Sequence, residues 1–446
     1  MNNPFIFKVK SGKDEFLSNK ENENIIFSSS ILKPLFSLGF HHFIHRTKNA
    51  MSITNKLKSK NKFYYVVNPY EHIISDYDND LNNFSKKYFG TKDPKILSRA
   101  FYKLWEIFFI FDIADNNKMV IASLAEGPGA FIQAAIQYRK AIGIEIKKDR
   151  LFGVTIHPEQ GNYIEMGKQF MSYYDKEYPK MLKIHKTYPY EKSLKYTNRD
   201  NGDITDIKTI SNFKKTVQKT KKFADLVTAD GGFEWNDENY QEQEAIQLIF
   251  GEIVACLKVQ AKKGCFVLKL FETFTMVSLK MIYLLSSFYD ECYVYKPYFS
   301  RESNSEKYII CKGFKYDQDK KLNSKLEILE NILKKMNTDK YIIDIFPELQ
   351  LPQSFINNFK YINIKIANNQ QIMINKIVTF IKNKNYFGEE YHNYRSEQIE
   401  ATKKWISNFF PDKKKIKSSK NNLSNIIKNR ILYNTKESEL FNKELL

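Results

Sequence analysis

The central part of the sequence predicts a doubly wound α/β sheet, and three observations support this prediction. Short apolar segments of strand length alternate with segments of helical periodicity between residues 95 and 315, which is the pattern of parallel strands joined by helices. A turn rich in glycine and proline follows the first of these strands. The last two apolar segments have no helix between them, which predicts an antiparallel pair at one edge of the sheet.

The individual elements are predicted from the spacing of apolar residues. Residues 95–113 and 239–260 have apolar side chains at helical intervals, so each range predicts an amphipathic helix. The other predicted helices cover 130–140, 160–181 and 275–288. The predicted strands cover 119–125, 151–156, 181–188, 222–230, 264–271, 292–298 and 306–314.

Composition divides the chain into three parts. Residues 1–94 mix short apolar patches with Lys- and Asn-rich stretches, and we interpret them as an N-terminal extension or a small domain. Residues 95–315 form the predicted sheet, and 316–446 form a helical region that ends in a basic tail. This tail is interpreted either as a solvated, partly disordered end or as an arm that contacts nucleic acid.

An excess of positive charge favours a polyanionic partner. The 446 residues include 70 Lys and Arg but 51 Asp and Glu, which gives a formal net charge of +19. Nucleic acid is the commonest polyanion, and an anionic membrane surface is the alternative. The first residues lack the apolar core of a signal peptide, and the apolar run over 104–114 is shorter than the ~20 residues of a membrane span. We therefore expect a soluble intracellular protein with no membrane partner.

Neither the cysteines nor the histidines predict a metal site. The cysteines form no CxxC pair and three lie in apolar surroundings, so we expect buried free thiols in a reducing compartment. His41 and His45 are one helical turn apart, but no nearby cysteine or carboxylate completes a set of ligands. The four cysteines are Cys256, Cys265, Cys292 and Cys311.

The turn AEGPGAF, at residues 125–131, predicts a ligand site after the first strand. Gly127 and Gly129 lack side chains where the backbone would approach a ligand, and Glu126 adds a carboxylate. The turn is neither a G-x-G-x-x-G dinucleotide fingerprint nor a Walker A loop, so a dehydrogenase is disfavoured. A zwitterionic methyl donor without phosphate fits better, because Glu126 could meet its ammonium group.

Four charged residues lie near predicted strand ends and could act together. Asp230 ends one strand, Lys269 lies within the next apolar strand, Glu306 opens the last strand, and Lys103 lies on the helix before the first strand. Burial and a second lysine would lower the pKa of Lys269, so that its neutral amine could act as a general base. A neighbouring carboxylate would oppose that shift but orient the amine. The alternative is that Lys269 simply pairs or extends to solvent.

Six segments together resemble a known family. They are SRAFYKL (98–104), EGPGAF (126–131), GDITD (202–206), TADGGF (228–233), VLKLFE (267–272) and SRESNSEKYIICKGF (300–314). Their order is that of FtsJ-like RNA ribose 2′-O-methyltransferases. The resemblance covers about half of the chain and is closest to cap-specific mRNA 2′-O-methyltransferases and their homologues in large DNA viruses. It implies a Rossmann-like class I methyltransferase sheet and the cofactor S-adenosyl-L-methionine.

The resemblance also assigns a catalytic tetrad of Lys103, Asp230, Lys269 and Glu306. Lys269 would take the proton of the ribose 2′-hydroxyl or stabilise the developing alkoxide. Asp230 would orient Lys269 and lie near the methyl group. Lys103 and Glu306 would position the ribose and tune the pKa of Lys269.

The same resemblance assigns the cofactor site. Thr155 would lie beside the ribose of the cofactor, and Asp203 would reach the adenine amino group. Two positions depart from the family pattern, since Ser123 replaces an Asp and Ala130 replaces the second Gly after the proline. The implied cofactor-binding residues are Glu126, Gly127, Pro128, Gly129, Ala130, Phe131, Thr155, Asp203 and Asp230.

RNA, and capped mRNA in particular, is the implied substrate. Arg301 and Ser305 are expected to contact a ribose or phosphate, and Phe233 and Trp235 could stack on a base or on the cap guanine. Packing under a loop is the alternative for Trp235. Two alternative functions remain. One is the same chemistry on ribosomal or transfer RNA, and the other is a non-catalytic, RNA-binding or virion-associated role on this scaffold. Capping or transcription machinery is an expected partner, and the cytoplasm, including a viral factory or virion, is the expected location, with the nucleus left open.

Overall fold

The computed structural model describes residues 4–31, 40–57, 63–71, 88–90, 92–156, 166–185, 200–233 and 235–444. Residues 160–165 and 186–188, assigned above to a helix and a strand, lie outside this range. The strands are β1 (Phe5–Val9), β2 (Ile25–Ser28), β3 (Val120–Leu124), β4 (Arg150–Gly153), β5 (Leu182–Ile184), β6 (Ala224–Ala229), β7 (Gln260–Leu270), β8 (Tyr289–Lys296), β9 (Lys307–Phe314) and β10 (Tyr341–Ile345). The α-helices are α1 (Phe40–Ala50), α2 (Ala100–Phe111), α3 (Ala130–Ala141), α4 (Lys168–Glu177), α5 (Ile207–Gln218), α6 (Gln241–Val259), α7 (Met276–Ser287), α8 (Lys320–Lys335), α9 (Gln353–Lys382), α10 (Glu389–Phe409) and α11 (Ile416–Glu444).

Eight strands form one sheet in the order β1-β8-β9-β7-β6-β3-β4-β5. The strands from β5 to β7 pair in parallel, and β9 pairs antiparallel with both β7 and β8. From β3 the chain first builds through β4 and β5 and then returns to build through β6 and β7. The strand order therefore reverses between β3 and β6, and ligands of such sheets bind beyond the carboxyl ends of the strands at this point. The predicted doubly wound sheet and the antiparallel pair of its last two strands are confirmed.

The edge of the sheet beyond β8 is formed by β1, which the sequence did not predict. β1 pairs antiparallel with β8, from Phe5 opposite Lys296 to Val9 opposite Cys292. The N-terminal region thus contributes a strand to the central sheet. Its second strand, β2, pairs with β10 in a separate two-stranded sheet.

Helices cover both faces of the sheet because its central strands are apolar on both sides. All five residues of β3 are buried, as expected for a parallel strand between two helical layers. Helices α2, α3, α10 and α11 pack on one face, and α5, α6, α7 and α8 pack on the other. The C-terminal helices are therefore part of the main hydrophobic core.

The basic tail is a helix rather than a disordered end. Residues 416–444 form α11, and the Asn434 side-chain amide donates a hydrogen bond to the Ile6 carbonyl of β1 at 2.7 Å. Lys420 forms ion pairs with Asp112 and Asp115, which follow α2. These contacts neutralise part of the tail's charge. The disordered interpretation is wrong over these residues, whereas contact with nucleic acid stays a prediction.

The cysteines are free thiols, as predicted. Cys256, Cys292 and Cys311 are buried, and Cys265 is partly buried. Among the described residues, no His, Cys, Asp or Glu side chains are grouped in threes that could hold a metal ion. No helix in the described ranges combines the length and the apolar character that a membrane crossing requires.

A buried ion pair at the start of β3 generates a stability prediction. Arg139 binds both carboxylate oxygens of Asp149 at 2.6 and 2.7 Å, and Asp149 also accepts the Met119 amide at 2.9 Å. Arg139→Met leaves the buried carboxylate without its counter-ion, so we expect the unfolding free energy to fall by about 3–5 kcal/mol in denaturant titrations. Lys148→Met, which breaks the exposed pair with Glu145, should leave it nearly unchanged. Equal effects of the two variants would contradict this account.

Candidate active site

The four predicted catalytic residues meet at the carboxyl ends of the central parallel strands, which we call the carboxyl edge of the sheet. Asp230 directly follows β6, and Lys269 lies next to the last residue of the neighbouring parallel strand β7. Because β9 runs antiparallel to β7, its start lies at the same edge, and Glu306 immediately precedes it. Lys103, in the first turn of α2, reaches this edge from one face of the sheet and contacts Glu306.

Lys269 and Asp230 form the first ion pair of the tetrad. The Lys269 Nζ lies 3.2 Å from Asp230 Oδ1 and donates a hydrogen bond to the Asp230 carbonyl at 2.8 Å. The Tyr308 hydroxyl also donates to Asp230 Oδ1, at 3.0 Å. Gly232 permits this arrangement, because a Cβ at that position would lie 3.3 Å from Lys269 Nζ. The second glycine of the TADGG sequence is therefore favoured by its close contact with Lys269.

Lys103 and Glu306 form the second ion pair. The Lys103 Nζ lies 2.7 Å from one carboxylate oxygen of Glu306 and 2.8 Å from the other. Burial alone would raise the pKa of Glu306, but the positive charges of Lys103 and Lys269 lower it, to about 2. Glu306 is therefore a carboxylate at neutral pH, and its charge also acts on Lys269.

The electrostatics of Lys269 correct the sequence-based expectation. Burial lowers the pKa of this lysine, as expected, but the negative charges of Asp230, Glu306 and Glu252 raise it by more, so that it lies above its ordinary value. The carboxylates of Asp230 and Glu306 thus outweigh the burial on which the expected neutral amine depended, and the general-base role stays a prediction. Lys269 is an ammonium ion in this arrangement.

Glu252 is a buried neighbour of the tetrad that the sequence did not reveal. It lies on α6, is 1% exposed, and its carboxylate accepts the Gly231 amide at 3.0 Å. A Cβ at Gly231 would lie only 2.4 Å from Glu252 Oε1, so the carboxylate lies directly behind the turn after Asp230. Burial raises the pKa of Glu252 to about 8, although Lys269 lowers it. A lone glutamate within an amphipathic helix gives no sequence signal for this role.

The turn at residues 125–131 lies beside the tetrad. A Cβ at Gly231 would come within 3.1 Å of the Ala125 Cβ, which places this turn against the residues that follow Asp230. Gly129 has a φ of 108°, and a Cβ there would lie 3.0 Å from both Met166 and Phe170. Glycine is therefore required at this position for backbone and for packing reasons. The space beside Gly129 is filled by Met166 and Phe170, so the predicted approach of a ligand to this backbone stays a prediction.

Glu126 faces the start of α3 in this structure. Its carboxylate accepts the backbone amides of Phe131 and Ile132 at 2.9 and 3.0 Å. Burial raises the pKa of Glu126 to about 8, and the charge of Asp230 adds to this increase. One carboxylate oxygen is thus used to cap a helix, and the predicted contact with an ammonium group stays a prediction. The position where the family pattern has Asp is filled by Ser123, whose hydroxyl accepts the Thr228 hydroxyl at 2.9 Å.

Thr155 and Asp203 lie on two other loops that follow strands. Thr155 is 5% exposed and comes two residues after β4. Asp203 accepts the amide and the hydroxyl of Thr205 at 2.9 and 2.7 Å. The adjacent Ile204 carbonyl would lie 2.5 Å from a Cβ at Gly251, which neighbours Glu252 on α6. The loop of Asp203 is thereby held against the helix that supports the tetrad.

The predicted RNA-contacting residues have different environments. Arg301 binds the two carboxylate oxygens of Glu71 at 2.7 and 2.9 Å and lies 3.9 Å from the Tyr65 ring centre. This guanidinium is therefore held by the N-terminal region, and its predicted contact with RNA stays untested. Ser305 is 5% exposed, and its hydroxyl has no hydrogen-bond partner within the part of the chain that the structure describes.

Trp235 is part of an aromatic cluster beside the tetrad. Its ring centre lies 4.4 Å from that of Phe233 and 4.8 Å from that of Phe271, and Lys269 Nζ lies 5.5 Å from the Phe271 ring. Phe233 is 47% exposed, whereas Trp235 is partly buried against the core. The packing alternative thus describes Trp235 in this structure, and Phe233 is the ring available for stacking.

Comparison with known proteins gives a consistent result. The sequence model of a family described as FtsJ-like methyltransferase matches residues 96–314. The cap-specific mRNA (nucleoside-2′-O-)-methyltransferase 1 of Trypanosoma cruzi is 33% identical over 215 residues, which are 47% of this chain and 52% of that protein. The inactive cap-specific mRNA (nucleoside-2′-O-)-methyltransferase 1B of Caenorhabditis briggsae is 28% identical over 214 residues, 45% of this chain and 25% of the relative. The uncharacterized protein L511 of Acanthamoeba polyphaga mimivirus is 27% identical over 393 residues, 85% of this chain and 44% of that protein.

These relatives are longer than the region they share with this chain. The chain spans about half the length of the Trypanosoma protein and about a quarter of the Caenorhabditis protein. One relative is named as inactive.

The raised pKa of Glu252 generates a pH prediction. A carboxyl group with a pKa of about 8 in the folded state and about 4.5 in the unfolded state binds more protons when folded, so its contribution to stability is lost as the pH rises between these values. Glu252→Gln keeps an acceptor for the Gly231 amide but does not titrate. The unchanged protein should lose stability from pH 5.5 to pH 8 through this group, whereas the variant should not. The unfolding free energy of the variant minus that of the unchanged protein should therefore increase over this range. Glu145→Gln on the surface should show no such increase, and a constant difference for Glu252→Gln would contradict the prediction.

Proposed function

We propose that residues 96–314, which match the family described as FtsJ-like methyltransferase, transfer a methyl group from S-adenosyl-L-methionine to a ribose 2′-hydroxyl of RNA. The observation that supports this most strongly is the meeting of Lys103, Asp230, Lys269 and Glu306 as two ion pairs at the carboxyl edge of the sheet. The match of this part of the chain to the family is the second support.

The cofactor supplies an activated methyl group on a sulfonium centre, which is why positioning and electrostatics suffice for the protein's part of the reaction. The backbone at Gly127 and Gly129, together with Thr155 and Asp203, would hold the cofactor beyond the carboxyl ends of β3 and β4. The carboxylate of Asp230, which belongs to the tetrad, would favour a cationic donor. The remaining residues proposed to line this site are Glu126, Pro128, Ala130 and Phe131.

Lys269 is proposed to stabilise the negative charge that develops on the 2′-oxygen. Its ammonium group is held by Asp230 and is surrounded by carboxylates that keep it protonated. On transfer, the 2′-oxygen would gain the methyl group as the carbon–sulfur bond of the donor breaks, and the hydroxyl proton would leave to water while Lys269 stays an ammonium ion. The raised pKa of Lys269 favours stabilisation of the oxyanion by its ammonium group over proton abstraction.

Capped mRNA is proposed as the substrate class. Two relatives are named as cap-specific mRNA methyltransferases, and the net charge of +19 suits a polyanion. Phe233 gives the site an exposed ring that contacts Trp235, which in turn packs on Phe271 beside Lys269, and such a ring can stack on a base. The assay below tests this proposal against two alternatives. They are methylation of ribosomal or transfer RNA and a non-catalytic role in RNA binding.

The catalytic proposal predicts the behaviour of Lys269→Met. With radiolabelled S-adenosyl-L-methionine and short capped or uncapped RNAs, the unchanged protein should label the ribose 2′-oxygen of a cap-proximal nucleotide. Lys269→Met should reduce kcat about 100- to 1000-fold, because it removes a charge aimed at the developing oxyanion. Lys262→Met, on the exposed part of the same strand, should retain the rate.

The outcomes of this assay are distinct. Equal labelling of uncapped RNA would contradict the cap proposal alone. Absence of label on every RNA, with no cofactor binding in calorimetry, would contradict the enzymatic proposal and favour the RNA-binding scaffold.

The exposed ring of Phe233 generates a prediction about RNA affinity. Phe233→Ala should weaken the binding of capped RNA about 5- to 100-fold, the usual range for loss of one stacked base, without changing cofactor affinity. Phe387→Ala removes a ring that is 81% exposed and lies in the C-terminal region, so it serves as the matched control. Equal RNA affinities of the two variants, measured by fluorescence anisotropy, would exclude the stacking role.

A further inference from the structure

The segment between β8 and β9 determines where Glu306 lies. It covers residues 297–306, which we call the tetrad loop, and it includes Arg301, Ser305 and Glu306. Lys296, the last residue of β8, lies at the base of this loop and is 7% exposed. A buried lysine at such a position requires hydrogen-bond acceptors around its Nζ.

All of the acceptors around Lys296 belong to the tetrad loop. Its Nζ donates to the Glu306 carbonyl and to the Asn304 carbonyl, both at 2.8 Å. It also lies 3.1 Å from the Asn304 side-chain oxygen and 3.1 Å from the Ser300 hydroxyl. Each of these four atoms is an uncharged oxygen. Lys296 is therefore held by neutral hydrogen-bond acceptors and not by an ion pair. The amine thereby gathers three separated residues of the loop around one point.

Lys296 fixes the backbone from which the Glu306 side chain projects. The Glu306 carbonyl accepts from Lys296, and the Glu306 amide donates to the Asn304 side chain at 3.2 Å, which itself accepts from Lys296. The Ser300 hydroxyl also donates to the Glu306 carbonyl, at 3.2 Å. Both polar backbone groups of Glu306 are therefore connected to the one amine of Lys296.

The first half of the tetrad loop is held by a different buried group. Glu106 on α2 accepts the amides of Tyr298 and Phe299 at 2.9 and 3.2 Å, and it also accepts the Trp405 indole of α10 at 2.8 Å. Lys103 lies one helical turn earlier on the same helix. Glu106 thus fixes the loop relative to Lys103, and Lys296 fixes the end of the loop that presents Glu306 to that lysine.

We propose that Lys296 is a positioning residue of the methyl-transfer site, which holds the backbone of Glu306 so that its carboxylate meets Lys103. This inference rests on the proposed function. It assigns to Lys296 no contact with RNA or cofactor. Loss of the amine would let Glu306 shift, and displacements of about 1 Å in such sites reduce rates about 100-fold.

The test compares Lys296→Met with Lys280→Met in the full chain. Lys280 is an equally buried lysine on α7, 3% exposed, with its Nζ hydrogen-bonded to Asp344 and to the Phe346 carbonyl. Lys296→Met should lower kcat about 10- to 100-fold at saturating RNA and leave cofactor affinity unchanged in calorimetry. Lys280→Met should leave kcat within about twofold, even if both variants lose similar stability.

A double-variant cycle separates positioning from general destabilisation. If Lys296 acts through Glu306, adding Lys296→Met to Glu306→Gln should reduce the rate little further, whereas independent effects would multiply. Asn304→Ala, at a partly exposed position, should show the same non-additivity and replaces Lys296→Met if that variant fails to fold. Full activity of a folded Lys296→Met or Asn304→Ala, or multiplied effects in the cycle, would overturn the proposal.

Hydrogen exchange gives a readout that does not depend on activity. Lys296→Met should increase amide exchange within residues 298–308, and Lys280→Met should not. Unchanged exchange there would overturn the inference even if methyl transfer is absent. Increased exchange without methyl transfer by the unchanged protein would instead contradict the proposed function and retain the structural assignment of Lys296.

Discussion

Four charged side chains share a small space at the carboxyl edge of the sheet, and their mutual neutralisation is the constraint on which the rest of the site depends. Removing ions from water is unfavourable unless each finds a counter-charge and hydrogen bonds in good geometry. The pairs Lys269–Asp230 and Lys103–Glu306 meet this condition, at 3.2 and 2.7 Å. The surrounding groups, among them Glu252 behind Gly231, fix the backbone that presents these charges.

Sheet topology explains why residues far apart in sequence can meet this constraint. Asp230 and Lys269 come from adjacent parallel strands whose carboxyl ends coincide. The antiparallel insertion of β9 between β7 and β8 turns its start toward the same edge, so that Glu306 joins them. Lys103 comes from a helix that packs on the sheet. If β9 ran parallel to β7, its start, and Glu306 with it, would lie at the opposite ends of the strands.

The sequence was informative where the signal is local. Apolar strands, the glycine positions at 129 and 232 and the four charged residues near strand ends are each visible within a few residues. The raised pKa of Lys269 was not predictable, because its direction depends on how closely the carboxylates of Asp230 and Glu306 approach the amine in the folded chain. The pairing of β1 with β8 and the contact of Arg301 with Glu71 join residues more than 200 positions apart, and no local pattern encodes such partners.

The protonation state of Lys269 tests the central claim most directly. Lysine labelled with ¹³C at the ε-carbon, assigned with Lys269→Arg, would show whether this amine titrates in the folded protein. The account predicts a pKa above the ordinary value of 10.5, and a lower pKa in Asp230→Asn. Titration of Lys269 near neutral pH, unaffected by Asp230→Asn, would contradict the two-pair arrangement and restore the neutral general base.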